Sequence, residues 1–234
     1  MLKSLTNYEL IKNICKKNYD IETMLDYGCG TGELVYQLNK IGICAYGCDI
    51  AVTKKDDKIQ RMKNNFTIPF DDEYFDFVTS NQVLEHVENL EVAVRELFRV
   101  MKPGAKGLLI CPTLETVFEW HVYMPFVHYL NKMPKIQMFC MYLFLFIRIG
   151  PKIGKSKDRW ISEKQHFLQK FTYYRSCRII RQNFNNKGFK IQSVEHTFYA
   201  KKFASYPIMR FLLNKYTTRY LVGSVFLIEK LHRE

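Results

Sequence analysis

The sequence predicts an α/β domain whose helices wrap both faces of a mostly parallel, doubly wound sheet, with a helical insertion in its second half. Three observations carry that expectation. Short apolar runs alternate with stretches of helical periodicity between Met24 and Cys111. A glycine-rich turn, Gly28-Cys29-Gly30-Thr31-Gly32, joins the first apolar run to the first periodic stretch after it. Residues 117–154 then break the pattern with an aromatic and methionine-rich segment, and the alternation resumes at Gly188.

The elements follow in chain order. Tyr8, Ile11, Ile14 and Cys15 share one face of a helix over residues 8–17. Met24 and Leu25 end a short buried strand with Asp26 at its carboxyl edge, and Leu34, Val35 and Leu38 place a helix directly after the glycine turn. Residues 43–50 read as a second strand ending in Asp49. The polar stretch 54–63 reads as loosely helical. Residues 75–79 form the fourth strand, with Asn81 and Gln82 just past its end and Glu85-His86 opening a helix beyond. Val94, Leu97, Phe98 and Met101 make a buried helical stripe, leaving Arg95, Glu96, Arg99 and Lys102 outside. A turn at 102–107 leads into a fifth strand at 108–112. Thr172 is placed as a helix N-cap ahead of Arg175, Arg178 and Arg181. The sixth strand starts at Gly188, an aromatic-rich helical segment covers 206–216, and residues 220–231 form the last strand.

At 234 residues the chain accommodates one domain, 1–234, and is too short for two. Lys3, Glu9, Lys12, Lys16 and Lys17 interrupt the apolar residues near the start, so no secretory signal is expected. The seven cysteines include no C-x-x-C pair, and Cys29, Cys44, Cys48 and Cys111 fall in or beside expected strands. Reduced thiols in a cytoplasmic protein fit this better than a disulfide framework or a zinc site. The net charge of +12 is uneven: residues 1–147 hold 16 Lys and Arg against 18 Asp and Glu, whereas residues 148–234 hold 19 against 5. Such a basic half suits an anionic partner: a phosphorylated lipid or sugar, a membrane surface, or nucleic acid. A solvated basic surface is the plainer alternative.

The glycine spacing narrows the ligand. A dinucleotide fingerprint is G-x-G-x-x-G with a pyrophosphate on the helix amino terminus. Here the pattern is G-x-G-x-G and a carboxylate, Asp26, precedes it. That carboxylate repels a pyrophosphate and favours a cationic head, as in S-adenosylmethionine, which carries a sulfonium, an ammonium and no phosphate. Asp49 lies about twenty residues after the first glycine, where doubly wound folds place the acid that accepts both ribose hydroxyls.

Leu25-Asp26-Tyr27-Gly28-Cys29-Gly30-Thr31-Gly32 resembles the first motif of the class I S-adenosylmethionine-dependent methyltransferases. Pro69-Phe70, the acidic turn after it, Phe75-Asp76-Phe77-Val78 and Val83-Leu84-Glu85-His86-Val87 resemble the subgroup that includes ubiquinone and menaquinone methyltransferases. The likeness runs from about Leu25 to Pro112. It implies a Rossmann-like, seven-stranded sheet, mostly parallel with an antiparallel last strand. A cofactor half spans 1–112, an aromatic lid about 113–160, and a basic carboxyl-terminal part 161–234 completes the sheet. The implied cofactor set is Asp26, Gly28, Cys29, Gly30, Gly32, Asp49, Ile50, Asn64, Asn65, Phe66, Asn81 and Gln82. Asn64 stands where the subgroup has an acid that contacts the adenine amino group, and Phe66 either packs on the adenine or joins the core.

Methyl transfer from a sulfonium needs alignment and exclusion of water more than nucleophile activation. No metal cluster is legible. His166 and His121 flank the lid and are the candidate general bases for a hydroxyl acceptor. Glu85-His86 reads either as a structural pair capping its turn or, through His86, as a proton acceptor. The apolar core of 136–149 is too short to span a bilayer, which takes ~20 residues; it caps a pocket, lies in a membrane interface or simply packs. The expected acceptor is a small molecule or a lipid- or sugar-phosphate-linked one. An RNA methyltransferase and an inactive cofactor-binding scaffold are the alternatives.

Overall fold

The computed structural model describes residues 5–18, 21–52, 56–63, 66–153 and 156–232. Helix α1, Asn7–Asn18, buries Leu10, Ile11 and Cys15 against the sheet. Strand β1, Thr23–Tyr27, leads through the glycine turn to α2, Glu33–Asn39, whose Leu34, Val35 and Leu38 are buried. Strand β2 is Cys44–Asp49 and β3 is Ile59–Arg61. The loosely helical expectation for 54–63 is thus corrected in its described part. Gly47 pairs with Ile59 in a parallel ladder, and Ile59 is buried beneath the glycine turn, so one apolar residue suffices to seat this edge strand.

Strand β4, Phe75–Asn81, is followed by a single 3₁₀ turn at Leu84–His86 and by α3, Leu90–Val100, capped by Asn89 accepting from Val92 N–H. Strand β5, Met101–Cys111, takes in the expected turn at 102–107: Gly104 has a φ of 77° and the pairing with β4 slips there before resuming at Lys106. Strands β6, Phe118–Glu119, and β7, Met124–Pro125, make a small separate hairpin. Helices α4, Pro134–Phe146, and α5, Lys157–Phe171, enclose a third core of Val122, Met124, Val127, Met141, Ile161 and Leu168. Because α5 runs continuously through residues 160 and 161, the expected boundary there falls inside a helix.

Thr172 ends α5 instead of starting the next helix, donating back to the Leu168 carbonyl. The N-cap of α6, Cys177–Lys187, is Ser176, which accepts from Ile179 N–H. After β8, Phe189–Ser193, come three short helices: α7, Glu195–Lys202; α8, Pro207–Leu212; and α9, Thr218–Val222. Tyr220 therefore lies in a helix, and β9 is Ser224–Lys230.

The strands form one seven-stranded sheet in the order β3-β2-β1-β4-β5-β9-β8. β9 alone runs against its neighbours, β5 and β8, and sits one place in from the edge. Period-two alternation gives the sheet two apolar faces: Leu25 and Val78 face α3 and α6, while Met24 and Phe77 face α1, α2 and α7. Strand order reverses between β1 and β4. Ligand crevices of open α/β sheets form at that place, beyond the carboxyl ends of the strands.

Glu96 was expected outside and is buried. It accepts from Ile68 N–H and pairs with Arg99 at 2.9 Å, while Arg99 also donates to the carbonyls of Ile68 and Phe70 and to Asp72. Helix α3 thereby clamps the Pro69-Phe70 loop that precedes β4.

Candidate active site

The glycine turn sits at the reversal. Gly28 N–H and Cys29 N–H both donate to the Cys48 carbonyl at 2.8 and 3.1 Å, tying the turn to the end of β2. Gly28 has a φ of 77°, and a Cβ there would stand 2.3 Å from Val83 Cγ2, so packing and conformation both demand glycine. Gly30 also has a positive φ, but a Cβ there would meet nothing within 4 Å; the space above it is open to a ligand. Cys29 points inward against Gly47, and burial pushes its thiol up to about 12.

Asp49 reaches back over the turn. One carboxylate oxygen accepts from Gly30 N–H at 2.9 Å and the other from Ala51 N–H at 2.8 Å. Ile50 beside it is 53% exposed, an apolar side chain facing solvent at the crevice mouth. Asp26 lies under the turn, 3% exposed, and burial together with the nearby Asp49 charge raises its carboxyl to about 7. A carboxyl held near neutrality by burial gains most from a cation set beside it. Phe66 is half-buried with a φ of 61°. Asn64 and Asn65 lie outside the described residues.

Asn81 ends β4, and Gln82 follows with a φ of 60° and its N–H on the Ile110 carbonyl. Asn81 belongs to a chain of contacts that sequence reasoning missed. Asn7 Nδ2 donates to Asn81 Oδ1 at 2.8 Å, and Lys202 Nζ donates to Asn7 Oδ1 at 2.6 Å. Tyr8 stands close enough for burial and the Asp26 charge to raise its hydroxyl. Together with Glu33 and Gln37 of α2, these residues line a cleft of about 650 Å³. That volume suits a small-molecule ligand. A larger hollow, about 810 Å³, is lined by Asp72, Arg95, Lys187 and Lys230 at the opposite edge of the sheet, away from the glycine turn.

Beyond the ends of β4 and β5 the chain gathers a second group. His121 Nδ1 is 2.6 Å from Glu119 Oε1, and Tyr174 donates its hydroxyl to the same oxygen at 2.6 Å. The His121 and His86 rings meet edge-on at 5.2 Å, with Phe167 against both. Glu85 caps nothing: its side chain is buried and neither oxygen has a hydrogen-bond partner, and burial pushes the carboxyl up to about 8. The structural-cap reading fails for the Glu85 side chain, whose residue uses its backbone carbonyl instead, accepting from Tyr173 N–H, whereas His86 Nδ1 does bond the Phe171 carbonyl at the end of α5. Arg175 fixes the same turn by donating to the Leu84 and Glu88 carbonyls. The two expected bases part company: His121 joins this group, whereas His166 is exposed on α5 with its ring 6.0 Å from that of Phe171.

Comparison with known proteins bears on the fold and on the part of the chain that holds the glycine turn. Residues 25–110 match the family model described as a methyltransferase domain. The chain is 30% identical over 104 residues to a 2-phytyl-1,4-naphtoquinone methyltransferase of Nostoc punctiforme, covering 38% of this chain and 45% of that one. It is 35% identical over 97 residues to a demethylmenaquinone methyltransferase of Streptomyces griseus, covering 38% and 42%. The likeness thus spans less than half the length of these curated relatives. A crystal structure of an S-adenosylmethionine-dependent methyltransferase from Mesorhizobium loti shares the fold, with a TM-score of 0.51, 17% identity and 88% of each chain covered. Residues 25–110 therefore match a methyltransferase domain, and the chain shares its fold with an S-adenosylmethionine-dependent methyltransferase.

Proposed function

We propose that this chain transfers the methyl group of S-adenosylmethionine to a small acceptor carried on, or presented at, an anionic lipid surface. The observation that carries the cofactor half of this reading is Asp49 bridging Gly30 N–H and Ala51 N–H above the buried Asp26. A ribose diol replaces those two amide contacts with its own hydroxyls, and the ammonium–sulfonium end of the cofactor supplies the positive charge that Asp26 lacks. Asn81 and Gln82 then border the methyl group. The residues align donor and acceptor and exclude water, which is most of what transfer from an activated sulfonium requires.

The acceptor half rests on the insertion. Among the described residues no helix is long and apolar enough to cross a membrane. Helix α4 nonetheless turns Ile136, Phe139, Leu143 and Phe146 outward, Phe139 and Phe146 at 67% and 81% exposure. Lys132, Lys135 and Arg148 flank that run, and the strongly basic part of the chain, residues 148–234, begins where it ends. An exposed apolar stripe edged with cations suits an interface with anionic lipid. The named relatives act on quinones, one of them bearing a phytyl chain, which supports an acceptor with an apolar tail.

The test is incubation of the chain with methyl-labelled S-adenosylmethionine and separate lipid, sugar-nucleotide and RNA extracts. Label in the lipid fraction, lost with Asp49→Ala, supports the proposal; label in RNA alone or in none overturns it. Co-sedimentation with phosphatidylglycerol vesicles is expected for the native chain and reduced by Phe139→Asp with Phe146→Asp.

A further inference from the structure

The group beyond β4 and β5 has no place in cofactor binding, yet three of its side chains converge. We propose that Glu85, His86 and His121 bind one divalent transition-metal ion of the Zn²⁺, Mn²⁺ or Co²⁺ class. One ligand atom from each lies within 4.8 Å of the others, and Glu85 Oε1 is 4.0 Å from His86 Nε2. A four-coordinate ion with bonds near 2.0–2.2 Å spaces its ligands by about 3.3 Å. Closure therefore asks each side chain to move by about an ångström.

Two independent features point to an ion. Glu85 is 2% exposed with both oxygens unpartnered, and a buried carboxylate without hydrogen bonds or counter-charge is costly. A cation at the convergence point supplies its partner. Both imidazoles, moreover, are anchored through Nδ1. His86 Nδ1 stands 2.6 Å from the Phe171 carbonyl, an acceptor only, so that nitrogen carries the hydrogen. His121 Nδ1 stands 2.6 Å from Glu119, whose carboxylate also takes the Tyr174 hydroxyl and the His121 backbone N–H. Protonation at Nδ1 leaves the Nε2 lone pair free on each ring. Backbone-carbonyl and carboxylate partners of this kind orient metal-binding histidines.

Two imidazoles and one carboxylate favour a borderline ion over Mg²⁺ or Ca²⁺ and leave coordination positions open. The site lies on the same sheet edge as the cofactor crevice. If the methyl-transfer reading holds, an ion there would take an acceptor hydroxyl at an open position and lower its pKa. The proton would leave to solvent, and the oxygen would bond the methyl carbon as the carbon–sulfur bond breaks and releases neutral S-adenosylhomocysteine. That use rests on the proposed function; binding of the ion does not.

The test is titration of the chelator-stripped full chain with Co²⁺, read by its visible d–d absorption without S-adenosylmethionine. One equivalent is expected to saturate. His121→Gln and Glu85→Gln are expected to weaken binding by more than the ~100-fold that loss of an outer partner can cost, Glu119→Gln by ~10–100-fold, and His166→Gln not at all. Circular dichroism confirms that each variant folds. Should the ligand variants fail to fold, Glu119→Gln carries the test. No saturable band in the native chain, a band that survives His121→Gln, or an unchanged affinity in Glu119→Gln overturns the site. Methyl-transfer assays read separately whether the proposed function stands.

Discussion

Replacing Asp26 by Asn should make the unliganded protein more stable above neutrality and worse at holding its cofactor. Asp26 is buried beneath the glycine turn with Asp49 close by, and its carboxyl is raised to about 7 from 3.8. The folded pKa is the higher of the two, so the native state holds this proton more tightly than the unfolded chain does. Its contribution to stability is fully present below about pH 4 and is lost as pH rises through about 7. Roughly three pKa units at ~1.4 kcal/mol each put the loss at about 4 kcal/mol by pH 8. Asn is neutral throughout and escapes it. At ~2–4 °C per kcal/mol for a chain of this size, the midpoint at pH 8 should rise by about 10 °C, while at pH 4 the two proteins should nearly coincide. Calorimetric titration at pH 8 should show S-adenosylmethionine affinity falling by at least ~30-fold, since a charge-assisted contact is worth about 2 kcal/mol. Scanning calorimetry across pH 4–8 checks the first half. An unchanged or lowered midpoint at pH 8 refutes the electrostatic account of Asp26, and undiminished affinity refutes its place in the crevice.

Two further outcomes follow from the packing. Arg99→Ala leaves Glu96 buried without its partner and releases the Ile68–Phe70 loop, so denaturant unfolding should show a loss of about 3 kcal/mol, most of it absent in Glu96→Gln with Arg99→Met. Gly28→Ala forces a Cβ to within 2.3 Å of Val83 at a φ of 77°. It should cost about 2 kcal/mol or more by the same measurement, and Val83→Ala should recover the steric part while leaving the ~1 kcal/mol backbone penalty.

Much of this was legible in the sequence for identifiable reasons. The strand–turn–helix around Gly28, Gly30 and Gly32, the second strand ending in Asp49 and the stripe of α3 all have strong periodicity or a residue type with one use. Legibility failed where a structure rests on few residues or on distant ones. Strand β3 has a single buried side chain, Ile59, in a polar stretch, and no periodicity can arise from one residue. Thr172 and Ser176 are both fair caps, and only the continuation of α5 to Phe171 decides between them. Glu96 looks like a surface acid until Arg99 and Ile68 N–H are seen to satisfy it. The cleft wall joins Asn7 to Lys202, and the histidine group joins Glu85-His86 to Glu119, His121 and Tyr174. Spacing along the chain carries no trace of either; an unmatched acid such as Glu85, set in an apolar stretch, was the one available signal.

The central claim is that the cofactor sits against the glycine turn with Asp49 on its ribose. Backbone amide spectra of the ¹⁵N-labelled chain titrated with S-adenosylhomocysteine test it most directly. Gly30 and Ala51, whose N–H groups now donate to Asp49, should shift most, with Gly28, Gly32, Ile50 and Asn81 following. Shifts confined to Asp72, Arg95 and Lys187 at the opposite edge, or none at saturating ligand, would contradict it.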